Sequence, residues 1–282
     1  EADSRVVFSL KDLDTAKHEA DFWAVTYEWF NLAGPHLLLR IARLVMAIRR
    51  SGVPVICYAP DTIFYTLNLG YGAAVTQNGG VILMLQNTPD EAHRYGLPFV
   101  SEITFWTWPK SEINAWSLNL TAWRDRRPQV ILAGTGETLR MTQMRSIAES
   151  LDDSVWQILW SDGSLPRSEY VACMRQSQIV CTTSLTQRDF LVSRLNRWES
   201  EFTVTGRVWE GFAAGCVVVT NRAPALDLLG FKPERHYLAL DAVLSDLDYL
   251  SSLSVSELER IAASGHELFL ALAKSSKNAT LE

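Results

Sequence analysis

The stretch "TGRVWEGFAAGCVVVT", Thr205 to Thr220, reads as a short helix, a glycine stop and a buried strand. Thr205 stands where a helix N-cap is favoured. Gly215 follows the helical run, where a left-handed terminator is favoured. "CVVVT" is apolar almost throughout, as in a parallel sheet covered on both faces. A short helix between two apolar runs should bury most of its surface, yet this one carries Arg207 and Glu210. Residues three and four apart share a helix face. Gly206, Glu210 and Ala213/Ala214 therefore fall on one narrow side, with Arg207 in the first turn. Either the arginine and glutamate form a local ion pair at i,i+3, worth little, or they hold a ligand. A helix start favours an anion through its free N–H groups and its dipole. A carboxylate four residues along can accept two hydroxyl hydrogen bonds, as a ribose diol offers. The combination suits a nucleotide, with phosphates at the helix start and ribose on the carboxylate.

Working outward, strand-like and helix-like runs alternate. "RVVFSL" and "DFWAVTYEW" are candidate strands. "NLAGPHLLLRIARLVMAIRRSG" follows as loop, helix and stop, with Leu37, Ile41, Leu44, Val45 and Ile48 at helical spacing. "VPVICYAP", "GGVILMLQ" and "PFVSEITF" read as further strands. From Ser111 to Arg127 the pattern loosens into polar residues with scattered tryptophans, which reads as a linker. A second alternating unit then runs through "QVILAG", "GETLRMTQMRSIAESL", "SVWQILWS", "PRSEYVACMRQS" and "QIVCTTSL" to the opening stretch. It closes with "APALDLLG", "HYLAL" and the long helix "VSELERIAASGHELFLALAK". Such alternation predicts an α/β fold with parallel sheets. Two units and a linker predict two Rossmann-like domains facing a cleft, 1–125 and 126–282. Ligands in such sheets bind beyond the carboxyl ends of the strands, so the loops after strands are where chemistry is expected.

Bulk composition narrows the function. The chain has 282 residues, 48% of them hydrophobic and 21% charged, with a net charge of −6. That balance offers no electrostatic footprint for nucleic acid. No run of about 18 apolar residues suggests a membrane span, and no signal peptide is visible. Cys57, Cys181 and Cys216 stand in apolar strand-like runs and Cys173 on a helix; none has zinc spacing. They read as buried reduced thiols, which points to the cytosol.

"GRVWEGFAAGCVVVTN", with "LLGFKPERHYLAL" and "ELERIAASGHELF" after it, resembles the C-terminal half of GT-B glycosyltransferases. The likeness is to CgeB-type and family-1-like sugar transferases. "VILAGTGETLR" is similar to the family's glycine loop, and "SEYVACMRQSQIV" to the segment that follows it; the likeness runs from about Arg127 to Leu270. The resemblance implies a GT-B fold and a hexosyltransferase-like enzyme that takes a nucleoside-diphosphate sugar and needs no metal or cofactor. It implies that residues 126–282 bind the donor and 1–125 the acceptor, a hydroxyl of a glycan, protein or small molecule. It assigns Glu210 to the donor ribose and Arg207 to the diphosphate, beside Gly206. Gly134 and Gly136 would allow close approach of diphosphate or sugar, and Arg140 is a further phosphate candidate. One departure stands out. Many retaining members carry a second glutamate in an E-x7-E pattern, and here Phe202 occupies that position, with Glu199 and Glu201 out of register.

The remaining loops offer a base. His36 starts a helix after a Gly-Pro turn, where it could act as base or bind phosphate, or merely cap the helix. Asp61 follows a strand end in "YAPDTIF" and could deprotonate an acceptor hydroxyl, or cap the next helix. "LAGTGETLR" lacks the third glycine of the dinucleotide fingerprint, since Leu139 stands there, and no GK[ST] follows to make a P-loop. No D-x-D stands at a strand end, which disfavours transferases that hold diphosphate through a divalent cation. Two rivals remain: a non-catalytic binding or scaffold module of the same fold, and a nucleotide-sugar epimerase.

Overall fold

A computed structural model of the 282-residue chain describes residues 23–25, 46–47, 49–50, 52, 54–59, 81–84, 100–103, 110–133, 138–161, 165–183 and 204–279. The chain divides into two compact units, Glu1–Thr104 and Phe105–Glu282.

The first unit holds four parallel strands, β1 (Trp23–Val25), β2 (Val55–Ala59), β3 (Val81–Met84) and β4 (Val100–Ile103), hydrogen-bonded in that order. Trp23 pairs with Val55, Ile56 with Val81 and Ile82 with Val100. The strands fall inside the runs marked by their apolar residues. The expected helix appears at Met46, Ala47, Arg49 and Arg50, and Gly52 after it takes a φ of +66°. The candidate strand "RVVFSL" lies outside the described residues.

The second unit is a five-stranded parallel sheet in the order β6-β5-β7-β8-β9. Its strands are β5 (Arg127–Ala133), β6 (Gln157–Ser161), β7 (Ser177–Thr182), β8 (Val217–Thr220) and β9 (Leu238–Ala239). All four pairings are parallel. The chain steps from β5 to β6 on one side and then returns across β5 to β7. That reversal is a topological switch point, beyond whose carboxyl ends open α/β sheets bind their ligands.

Eight helices are described in this unit: α1 (Lys110–Ser117), α2 (Thr138–Ser150), α3 (Arg167–Gln176), α4 (Gly206–Ala213), α5 (Pro224–Leu228), α6 (Leu240–Ser245), α7 (Tyr249–Ser252) and α8 (Val255–Ala279). Strands β7 and β8 are buried along their whole length. One core face gathers Val130, Leu132, Ile179, Cys181, Val217 and Val219 of the sheet with Met144 and Ile147 of α2 and Leu258 and Ile261 of α8. Helix α8 opens with a capping box. Ser254 N–H donates to Glu257 Oε2 at 2.8 Å, and Glu257 N–H donates back to Ser254 Oγ at 3.3 Å.

The expected linker over 111–127 is corrected by the structure. Its first part is helix α1, and a 3₁₀ turn follows at Trp123–Asp125. Trp116 is fully buried, and Trp123 is buried with its indole N–H donating to the Gln178 carbonyl at 3.0 Å. A buried tryptophan removes some 150–250 Å² from water, so two of them, with Ile113 buried one turn before Trp116, fasten an otherwise polar segment.

Candidate functional site

Helix α4 follows the expected course. Thr205 precedes it with extended backbone angles, but its side chain makes no cap; its Oγ1 faces Thr182 Oγ1 at 3.5 Å instead. Gly215 takes a φ of +66°. Its N–H donates to the Phe212 carbonyl, and Cys216 N–H donates to the Gly211 carbonyl, both at 3.0 Å. This pair of bonds is the Schellman termination.

Of the eight residues of α4, only Gly206, Arg207 and Glu210 escape full burial. Trp209 and Phe212 pack with Phe231, the phenylalanine rings stacked at 4.4 Å. Ala213 and Ala214 are fully buried, so they serve the core and do not flank a ligand as their spacing suggested. The polar stripe is therefore narrow, and it opens onto a cavity of about 400 Å³. Leu165, Arg167, Tyr170, Thr205, Gly206, Arg207 and Glu210 line it. They come from the first turn of α3, which follows β6, and from α4, whose start adjoins the end of β7. The site thus lies at the carboxyl ends of the strands.

Arg207 and Glu210 meet at a third residue. Tyr170 Oη donates to Glu210 Oε2 at 3.1 Å, and Arg207 Nη1 donates to Tyr170 Oη at 3.4 Å. The guanidinium carbon also lies 5.7 Å from the centre of the Tyr170 ring, a cation–π distance. Burial pushes the Glu210 carboxyl above its ordinary pKa, opposed by the Arg207 charge and the Tyr170 hydrogen bond. Burial also raises the Tyr170 hydroxyl, which the Glu210 charge raises further, so it is protonated and a donor at any working pH. Arg167 at the rim pairs with Glu112 of α1, and Glu112 accepts from the Trp116 indole at 2.9 Å. The arrangement offers an anion a helix start and two guanidinium groups, and offers a hydroxyl-bearing ligand a carboxylate acceptor.

Of the residues singled out in the sequence, Gly206, Arg207 and Glu210 come together here. Arg140 is the third residue of α2, on the element after β5. Gly134, Gly136, His36, Asp61 and Phe202 lie outside the described residues. Tyr170 and Arg167 were missed. Their signal was positional: both fall in the first turn of a helix that follows a strand. Among the described residues no group of three His, Cys, Asp or Glu could hold a metal ion. Among the same residues no helix is long and apolar enough to cross a membrane.

An α/β chain with parallel sheets and a cavity at the strand ends has the architecture of nucleotide-binding, Rossmann-like domains. A glycosyl transferase-like family model matches residues 123–280, more than half of the chain, and the chain belongs to that family. Among solved structures it is similar to Anabaena Alr3699/HepE in complex with UDP and glucose. There the TM-score is 0.57 at 11% identity, over 96% of this chain and 80% of that one. It is also similar to alpha,alpha-trehalose 6-phosphate synthase from Burkholderia multivorans. That TM-score is 0.53 at 14% identity, over 95% of this chain and 69% of that one. No curated protein sequence matches the chain. The enzyme is a glycosyltransferase of GT-B fold, as the residues of the second unit led us to expect.

Proposed function

We propose that this glycosyltransferase moves a sugar from a nucleoside-diphosphate sugar to a hydroxyl acceptor, with the donor held in the cavity at the start of α4. The observation that carries this reading is the meeting of Arg207, Glu210 and Tyr170 at the only partly exposed stripe of that helix. Glu210 accepts the ribose hydroxyls. Arg207 and the free N–H groups at the helix start receive the diphosphate. The acceptor oxygen bonds to the anomeric carbon as the bond from that carbon to the diphosphate oxygen breaks. Catalysis is positioning plus stabilisation of the departing charge, which basic side chains and a helix start supply without a metal or cofactor. The first part of the chain contributes the acceptor side, and Asp61 or His36 is the base if configuration inverts. Among the described residues Cys181 and Cys216 are buried, Cys173 is half-buried and all three are free of disulfides, which fits a cytosolic enzyme.

Calorimetric titration of wild type and Glu210→Ala with UDP, GDP, ADP, CDP and dTDP, in the absence of metal, tests the reading. UDP comes first because a structure of the same fold was solved with it. One nucleotide should bind wild type, and Glu210→Ala should lose roughly 1–3 kcal/mol of that affinity, the scale of a charge-assisted hydrogen bond, while melting normally. Wild type that binds none of the five would leave a scaffold of the same fold.

A further inference from the structure

We infer that Tyr170 is the positioning residue of this site: its hydroxyl keeps Arg207 and Glu210 apart and aimed for a nucleoside diphosphate. The inference rests on the donor reading above.

Arg207 and Glu210 stand three residues apart on one helix, the spacing at which an arginine ordinarily folds onto a carboxylate. Such a pair would neutralise both groups and leave neither for a ligand. The Tyr170 hydroxyl stands between them instead, at 3.4 Å from Arg207 Nη1 and 3.1 Å from Glu210 Oε2. The direction of these bonds is forced. A guanidinium has donors only, so the tyrosine oxygen must accept from Arg207 and is free to send its single proton to Glu210. The ring beneath gives the guanidinium a second seat on its π face.

Tyr170 is itself fixed. Its ring meets Trp116 edge to face, with centroids 5.9 Å apart and planes at 81°. Trp116 is fully buried, and its indole N–H is bonded to Glu112, which Arg167 also holds. A tryptophan in a polar, helical segment thus sets the angle of a tyrosine some fifty residues away in the chain, and that tyrosine sets the carboxylate.

Among the described residues, the groups facing Glu210 are few. Arg207 faces it from α4 itself, and Tyr170 and Arg167 from α3. Helix α1 brings Glu112, tied to Arg167. Helix α8 brings His266, whose Nδ1 bonds the Phe212 carbonyl further along α4 at 2.9 Å. Cys181 of β7 lies on the opposite face of the sheet from α4, with Val217 and Val219, and β8 brings no titratable side chain. Protonation of Glu210 therefore contributes to the acid side of nucleotide binding, beside the proton that the diphosphate itself takes up in wild type and variant alike. The Tyr170 hydroxyl, a donor to the charged form, holds the Glu210 part of that limb at lower pH.

The test is the pH dependence of nucleotide affinity in wild type and Tyr170→Phe, for whichever of UDP, GDP, ADP, CDP and dTDP wild type binds. The variant keeps the ring against Trp116 and removes one oxygen. Affinity should fall roughly tenfold near neutrality, and the acid limb should move up by about half to one pH unit. In a Glu210→Gln background the same change should cost much less, because the bond it removes is no longer to a charge. Tyr170→Gln, which keeps a donor, should return the acid limb toward that of wild type. An unmoved limb, or losses that simply add in the double variant, overturns the inference even if the Phe variant binds weakly, since altered packing alone would do that. Wild type that binds and a Phe variant with the wild-type profile sink the positioning role alone; wild type that binds no nucleotide at any pH sinks the donor reading and this inference with it.

Discussion

Gly211 of α4 lies against Val180 of β7 so closely that a Cβ on the glycine would stand 2.5 Å from Val180 Cγ1 and 2.9 Å from Val218 Cγ2. Both contacts are to short branched side chains in buried strands, which have nowhere to swing. The helix that carries Glu210 is therefore laid flush on the sheet by the residue next to it. Alanine is the better helix former by about 1 kcal/mol in an exposed setting. Here Gly211→Ala should instead destabilise by about 1–3 kcal/mol, the usual cost of overpacking. It should also weaken nucleotide binding, because the helix must lift and Glu210 with it. Urea unfolding and titration on the same preparation check both, and an alanine variant as stable as wild type would refute the close-approach argument.

How much of this site could be read from the chain depends on distance in sequence. Gly206, Arg207 and Glu210 were legible because one helix turn relates them, and an apolar strand and a glycine stop frame that helix. Tyr170 and Arg167 were not, although the helix holding them was anticipated. Their meeting with α4 depends on how β6, β5 and β7 order themselves, and local pattern does not encode that order. The stretch 111–127 misled for a related reason: the buried face of α1 is only Ile113 and Trp116, too short to show a period, and Trp123 anchors the turn after it. Helices α6 and α7 were also unforeseen, with six and four residues too few to show a period. The strands of the second unit fared better, since β7 and β8 are buried on both faces and carry continuous apolar runs.

Glu210 should make the ligand-free protein less stable at neutral pH than its amide counterpart would. Burial raises its folded pKa above the unfolded value. For a carboxyl shifted in that direction the folded state binds the proton more tightly. The contribution of Glu210 is most favourable below its unfolded pKa and declines as pH rises through the folded one. Glu210→Gln should therefore melt higher than wild type near pH 7.5 and level with it near pH 4, while binding nucleotide more weakly. Differential scanning fluorimetry at several pH values is sufficient. A Gln variant that melts lower than wild type at neutral pH would show that the Arg207 attraction outweighs the burial penalty.

Arg126 ties the far end of the same helix. It is buried, and its Nη1 donates to the carbonyls of Ala214 at 2.8 Å, Gly215 at 3.0 Å and Ser177 at 3.4 Å, while Nε donates to Thr121 at 3.0 Å. A cation at a helix C-terminus also meets the negative end of the dipole. Removing it leaves several buried acceptors bare, at about 1–3 kcal/mol for each. Arg126→Met should cost roughly 3 kcal/mol or more by chemical denaturation, since methionine fills the space but donates nothing. Arg126→Lys should recover only part of that, because one ammonium group cannot reproduce the fork. A Met variant within experimental error of wild type would show that water takes over these carbonyls.

The three described cysteines should differ in reactivity according to burial. Cys181 and Cys216 are fully buried, and burial pushes both thiols up to about 12, although Arg126 lowers Cys216 somewhat against that trend. Cys173 is only half-buried, and its thiol is raised too. Reaction requires both thiolate and access. A thiol near 12 is ionised in only about one molecule in ten thousand at about pH 8. Peptide mapping after brief iodoacetamide treatment of the folded protein should find Cys173 labelled ahead of the other two. Cys181 and Cys216 should react only on the timescale of unfolding, and label together once denaturant is added. Rapid native labelling of Cys216 would mean that the clamp of Arg126 on the end of α4 opens far more readily than its four backbone hydrogen bonds allow.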